Sequence, residues 1–171
     1  MSNQIVFPVE WTAFLLEKES VWQETYTQEF QVHIPLLYDA AFINSIDTLK
    51  PWNRMERTIP EVFESWTIIK ADLHEKFSHR DVNNILEQMK KGMGLFLEIL
   101  YWCNQSPVVW KLDKAVKLVR KPVNWEERLE YILANPTKYH SYIQLAELFS
   151  EQEKSYVKQQ TVMKAKKASK S

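Results

Sequence analysis

Val82-Asn83-Asn84-Ile85-Leu86-Glu87-Gln88-Met89-Lys90-Lys91-Gly92-Met93-Gly94-Leu95-Phe96-Leu97-Glu98-Ile99-Leu100-Tyr101-Trp102-Cys103-Asn104 sets the architecture of this chain. Val82, Ile85, Leu86, Met89, Met93, Phe96 and Leu100 recur at helical spacing, and Leu97, Ile99, Tyr101 and Trp102 make the second half apolar almost all round. A helix without a polar side has no face to give to water, so it belongs at the centre of a bundle. Gly92 and Gly94 each cost roughly 1 kcal/mol relative to alanine in a helix, which predicts a close neighbour or a bend at that point. Glu98 is the one charge between Lys91 and Lys111, and it either reaches solvent or a cation of another helix, or forms a polar site in the core. The dense part, Leu95 to Cys103, is shorter than the ~20 residues of a membrane span. Asn104-Gln105-Ser106-Pro107 then ends it, so the run reads as a buried helix with no membrane span.

Helical periodicity extends in both directions. Trp11, Phe14, Leu15, Trp22 and Tyr26 predict a first helix from about Val9 to Phe30, and a shorter one follows over Pro35 to Ile46. Thr58-Ile59-Pro60-Glu61 reads as an N-cap hydroxyl, a first-turn proline and a glutamate at N3, before a stripe of Val62, Phe63, Trp66, Ile69, Leu73 and Phe77. Ser78-His79-Arg80-Asp81 is a break. Over Trp110 to Lys121, Leu112, Ala115, Val116 and Val119 fall in one sector opposite Lys111, Lys114, Lys117, Arg120 and Lys121, the pattern of a basic amphipathic helix. Asn124-Trp125-Glu126-Glu127 caps a short helix to Ala134, Asn135-Pro136-Thr137 turns the chain, and Tyr139 to Val157 carries a final stripe. The expected fold is all-α, a single bundle of about six helices around a central helix at about 82–104. Residues 1–157 form this helical domain, and 158–171 are a disordered basic tail.

Composition narrows the function. The 171 residues hold 22 Lys+Arg, 22 Asp+Glu, one cysteine and two glycines. Two glycines cannot build a Rossmann fingerprint or a P-loop, and one cysteine excludes an internal disulfide framework and fits a reducing, cytoplasmic setting. The first twenty residues lack a basic n-region and an unbroken apolar stretch, so no targeting segment is read there. Five lysines and no acid lie from Lys158 to Ser171, leaving 17 basic against 22 acidic residues elsewhere. The body is therefore acidic and the tail basic, and attraction to a polyanion has to be local.

The inventory of catalytic groups is thin. Cys103 sits in the apolar run, where a thiol behaves as a small hydrophobe. His33, His74, His79 and His140 are scattered, without H-E-x-x-H or a Cys/His cluster. No catalytic residue, metal ligand or cofactor site is assigned, and the chain is not read as an enzyme. The leading reading is a non-enzymatic cytosolic adaptor that binds an unknown protein partner through exposed aromatic and amphipathic surface. The alternative is nucleic-acid association through the basic helix at 110–121 and the lysine tail.

Lys121 to Leu145 is denser in special residues than packing requires. Its Asn124 cap, Glu127-Arg128, Asn135-Pro136 turn and Tyr139-His140-Ser141-x-x-Gln144, continued by Leu148-Phe149 and Glu151-x-x-Lys154, resemble the YpoC-like family of Bacillus-type Gram-positive bacteria. The resemblance covers roughly residues 100–157, with 107–157 as the YpoC-like part. It implies a small all-α cytoplasmic protein of a family without an established activity, and it supplies no catalytic residue. Physically, Arg128, Tyr139, His140 and Gln144 form either a polar groove for a peptide or anionic ligand, or a hydrogen-bonded clasp between two short helices joined at Pro136.

Overall fold

A computed structural model describes residues 3–170, and the backbone is mostly helical. In chain order come β1 (Gln4–Val6), a 3-10 turn at Val9–Phe14, β2 (Glu19–Val21), α1 (Thr25–Gln28) and α2 (Leu37–Ile43). A second 3-10 turn at Pro51–Asn53 leads into α3 (Met55–Ser78), α4 (Ile85–Trp102), α5 (Trp125–Ala134) and α6 (Tyr139–Ser169).

α4 is central, as its composition requires. Every residue from Gly92 to Trp102 is buried. α3 runs antiparallel to it and α6 parallel: Trp66 and Leu145 flank Gly92, Phe149 meets Phe96, and Gln159 reaches the Cys103 carbonyl. Both glycines are close-packing sites. A Cβ on Gly92 would lie 2.9 Å from Trp66 Cζ3 and 3.0 Å from Leu145 Cδ2, and one on Gly94 would lie 3.0 Å from Pro35 Cβ. Gly92→Ala is expected to lower stability by about 1 kcal/mol, because the ~1–3 kcal/mol cost of overpacking exceeds the ~1 kcal/mol gained in helix propensity. Urea unfolding measures this, and an unchanged or raised midpoint would mean that Trp66 yields.

The region expected as a first helix is instead a hairpin around a 3-10 turn. β1 and β2 pair antiparallel, with Ile5 opposite Ser20. Trp11 and Phe14, three apart, satisfy a 3-10 turn as well as an α-helix, and extended backbone then returns to pair with β1. A two-stranded ribbon is marginal alone, so its stability comes from Ile5, Phe7, Trp11, Phe14 and Trp22, all buried in the common core.

The basic amphipathic helix expected over 110–121 does not form either, and residues 107–124 have no regular helix. Side chains of distant elements hold this segment's backbone. Asn104 Oδ1 accepts from the amides of Val119 and Arg120, both at 2.9 Å, and its Nδ2 donates to the Arg120 carbonyl at 2.8 Å. The Val108 amide donates to Asp39, and the Trp110 carbonyl accepts from the Trp11 indole at 3.0 Å. Amides committed to such partners cannot make i→i−4 bonds, and Val119, on the supposed apolar face, is 73% exposed.

Two smaller corrections concern helix ends. Thr58 does not cap α3, which begins three residues earlier; its buried hydroxyl faces the Pro51 and Arg54 carbonyls at 2.9 and 3.1 Å. Residues 158–169, expected to be loose, continue α6 as helix. The chain's reversals also use no glycine. Leu36, Ser45, Arg80, Asn84, Gln105, Lys111 and Asn124 all adopt left-handed φ between 52° and 67°.

Candidate functional site

The seven tryptophans are all buried, Trp110 being the most exposed at 7%. The exposed aromatic surface expected of an adaptor is therefore not made of tryptophan. Hydrophobic burial claims these rings for the core: Trp66 stacks on Phe149 at 4.1 Å and 4°, and Trp11 and Trp102 each spend their indole N–H on a buried acceptor.

Three of the four residues singled out around the α5–α6 turn come together. Arg128 Nε donates to Gln144 Oε1 at 3.2 Å, Nη1 to the Val123 carbonyl and Glu151 Oε2, and Nη2 to Glu151 Oε1 at 3.0 Å. Glu147 lies 3.7 Å from Nη2. Gln144 Nε2 is 3.5 Å from His140 Nε2, and the His140 ring meets Tyr131 edge-on. Tyr139 is elsewhere, against Phe77 and Tyr142. An anion approaching Arg128 meets two carboxylates already drawn to the guanidinium. Arg128→Met is expected to destabilise the chain by about 1–2 kcal/mol in urea unfolding, with no rescue by Arg128→Lys, because lysine lacks the fork that holds Glu151 in a bidentate pair. A change within a few tenths of a kcal/mol would show that water replaces these bonds freely.

The five cations expected on one helical face are dispersed along the irregular segment. Lys111 pairs with Glu130 at 2.8 Å and lies over the Trp110 ring, and Lys114 Nζ is 5.6 Å from the Phe42 ring. Arg120 is half-buried, its backbone held by Asn104 and Gln152. Lys117 and Lys121 are exposed.

The free end of α6 is a surface that sequence reading placed in a tail. Tyr156 and Gln159 are the last residues anchored in the body, through the Met55 and Cys103 carbonyls. Every residue from Thr161 to Lys170 is exposed. No acid follows Glu153, so Lys158, Lys164, Lys166, Lys167 and Lys170 form an unbroken basic set.

Sequence reading also left half of a core polar site unseen. Glu98 is 3% exposed, and its Oε1 accepts the Leu36 amide at 2.6 Å. Asp39, fully buried, accepts the Trp102 indole N–H and the Val108 amide on Oδ1. Asp39 Oδ2 and Glu98 Oε2 face no donor. Burial pushes Asp39 up to about 6 against the pull of its two donors, and burial together with the Asp39 charge holds Glu98 well above the carboxylate range. Glu98 showed itself as an anomaly in the apolar run; Asp39 needed α2 to fold against α4. Burial likewise raises the Cys103 thiol to about 12, far from a thiolate at neutral pH.

A groove with room for about 180 Å³ lies beside the hairpin, lined by Phe7, Phe14, Leu16, Ile34, Pro35 and Lys91. Among the described residues, no group of three or more His, Cys, Asp or Glu is placed to hold a metal ion. No helix among them is long and apolar enough to cross a membrane.

The chain matches the family of YpoC-like proteins over residues 56–164, from the first turn of α3 to the free end of α6. A Bacillus subtilis (strain 168) relative described as "Uncharacterized protein YpoC" is 35% identical over 127 residues, covering 72% of this chain and 76% of that one. No solved structure matches. The likeness read over residues 100–157 thus takes in α3 and α4 as well, and with its central helices inside the matched segment the chain belongs to the YpoC-like family.

Proposed function

We propose that this protein is a non-enzymatic, cytosolic interaction protein that meets its partner with the free end of α6. The observation supporting the reading is the exposure of every residue from Thr161 to Lys170 on a helix that has left the body. A helix end without tertiary packing lacks the main source of helical stability, so this segment gains most from a partner that covers it. The aromatic surface no longer supports the adaptor reading, because the tryptophans serve the core. Arg128, His140 and Gln144 are read as a clasp that fixes α5 on α6, since the guanidinium is already supplied with acceptors from the chain itself.

Affinity capture from a native lysate tests the contact element, using the full chain and a chain ending at Gln160, with proteins and nucleic acids both analysed. The partner is expected on the full chain alone, while the two chains unfold at the same midpoint. Equal recovery on both would place the contact elsewhere and overturn the reading.

A further inference from the structure

We infer that the partner met by α6 is duplex DNA, held through its phosphates without base reading; this rests on the proposal that the free end of α6 is the contact element. At 100° per residue, Tyr142, Leu145, Phe149, Gln152 and Tyr156 lie on one side of α6, and all are buried against the body. Continued past Gln160, that same side carries Lys164, Lys166, Lys167 and Lys170 within an arc of about 160°, with Met163 at its middle. The opposite side holds Thr161, Val162, Ala165, Ala168 and Ser169. The face that buries apolar groups thus turns cationic where the body ends, and the lysines overhang the end of the bundle.

That end carries further cations among acids. The Tyr156 hydroxyl donates to the Met55 carbonyl at 3.4 Å, which puts the entry to α3 beside the base of the overhang. Lys50, Arg54 and Arg57 are exposed on this entry segment. Lys114 lies over Phe42, whose ring packs edge-on against Trp52 in the same segment. Asp47, Glu56, Asp113 and Glu153 are the acids nearby in sequence, and they do not interrupt the overhang. The overhang thus starts beside the entry to α3, and its lysines are the part of the chain free of acids, on a body that is otherwise net acidic.

The composition of the corner selects the partner. Protein interfaces enrich aromatics and arginine at their centres and deplete lysine, whereas the overhang is rich in lysine and has no aromatic beyond Tyr156. Single strands are held by stacking on aromatic side chains, which the overhang does not offer. A duplex presents one charge per ~1.7 Å of its axis, and the ten-residue overhang is ~15 Å long, a match for several phosphates in succession. Lysine binds phosphate as a point charge, so the contact is independent of sequence.

Fluorescence anisotropy of a short labelled DNA duplex over a salt series tests this with the full chain. Binding is expected with log Kd rising linearly with log salt at a slope of about 4. The combined variant Lys164→Gln, Lys166→Gln, Lys167→Gln, Lys170→Gln is expected to lose at least ~100-fold in affinity at low salt and about 3 to 4 of that slope, with the far-ultraviolet circular dichroism of the fold retained. The matching four Lys→Arg changes should keep both. No binding by the wild type, unchanged binding by the glutamine variant, tighter binding of a single strand, or tighter binding of poly-glutamate would each overturn the inference, the last in favour of an acidic protein. Failure here together with capture that still depends on residues 161–170 removes DNA alone, whereas capture that ignores those residues removes the contact element itself.

Discussion

Stability is expected to fall as pH rises from about 4 towards neutrality, and Glu98→Gln is expected to flatten the upper part of that fall. The sign follows from the buried pair. Asp39 is raised to about 6, so between its unfolded and folded values the native chain holds a proton that the unfolded chain has released. Stability from this group is complete in acid and is lost as pH climbs through about 6, a fall of about 3 kcal/mol for a shift of roughly two pH units. Glu98 is raised in the same direction by burial and by the charge on Asp39, and it is the later of the two to ionise. The Asp39 charge has two donors, and it works against a second charge on Glu98, which has the Leu36 amide alone. Glutamine copies the neutral form: its carbonyl oxygen takes the Leu36 amide, and its NH₂ stands where the protonated oxygen stood. Urea unfolding near pH 5 and near pH 8 is expected to give similar parent and variant stabilities in acid, with the variant more stable in base. Parallel curves would show that the native state does not hold Glu98 protonated.

Trp66→Ala is expected to cost about 3–5 kcal/mol, among the largest single losses this core can suffer. Trp66 joins three helices at once, stacking on Phe149 of α6 and pressing its ring edge on Gly92 of α4. Phe149 in turn touches Phe96 edge-on, so the loss opens space at the junction of α3, α4 and α6. The decisive measurement is the double variant. With the indole gone, the close neighbour of Gly92 is reduced to Leu145, a side chain able to shift, and Gly92→Ala becomes neutral or stabilising by about 1 kcal/mol through helix propensity. If alanine at 92 costs as much without Trp66 as with it, the close approach is not what makes glycine necessary there.

The parts of this architecture that follow from local pattern are legible in the sequence. The apolar run of α4, its glycine pair and the Ser78–Asp81 break each report a local cause. What was misread depends on partners distant in sequence. Trp11 and Phe14 fit an α-helix equally well until β2 returns to pair with β1. The lysines and aliphatics of 110–121 fit an amphipathic helix until Asn104 captures the amides of residues 119 and 120. Arg128 meets Gln144 because α5 and α6 fold back on each other at Pro136, whereas Tyr139, adjacent to His140 in sequence, turns towards Phe77. Asp39 carried no sign of its burial, because nothing in residues 37–43 tells which helix will cover them.

The left-handed turns point to a margin of heat resistance that the chain leaves unused. Both glycines are committed to close packing in α4, so Ser45, Arg80 and Gln105, all exposed, carry side chains through a backbone region that L-residues enter at a cost of roughly 1–2 kcal/mol. Glycine at any of these three sites removes that steric cost, against an entropic penalty of about 0.5–1 kcal/mol. A thermotolerant version of this protein is therefore expected to be reached through its bends, with the core left as it is.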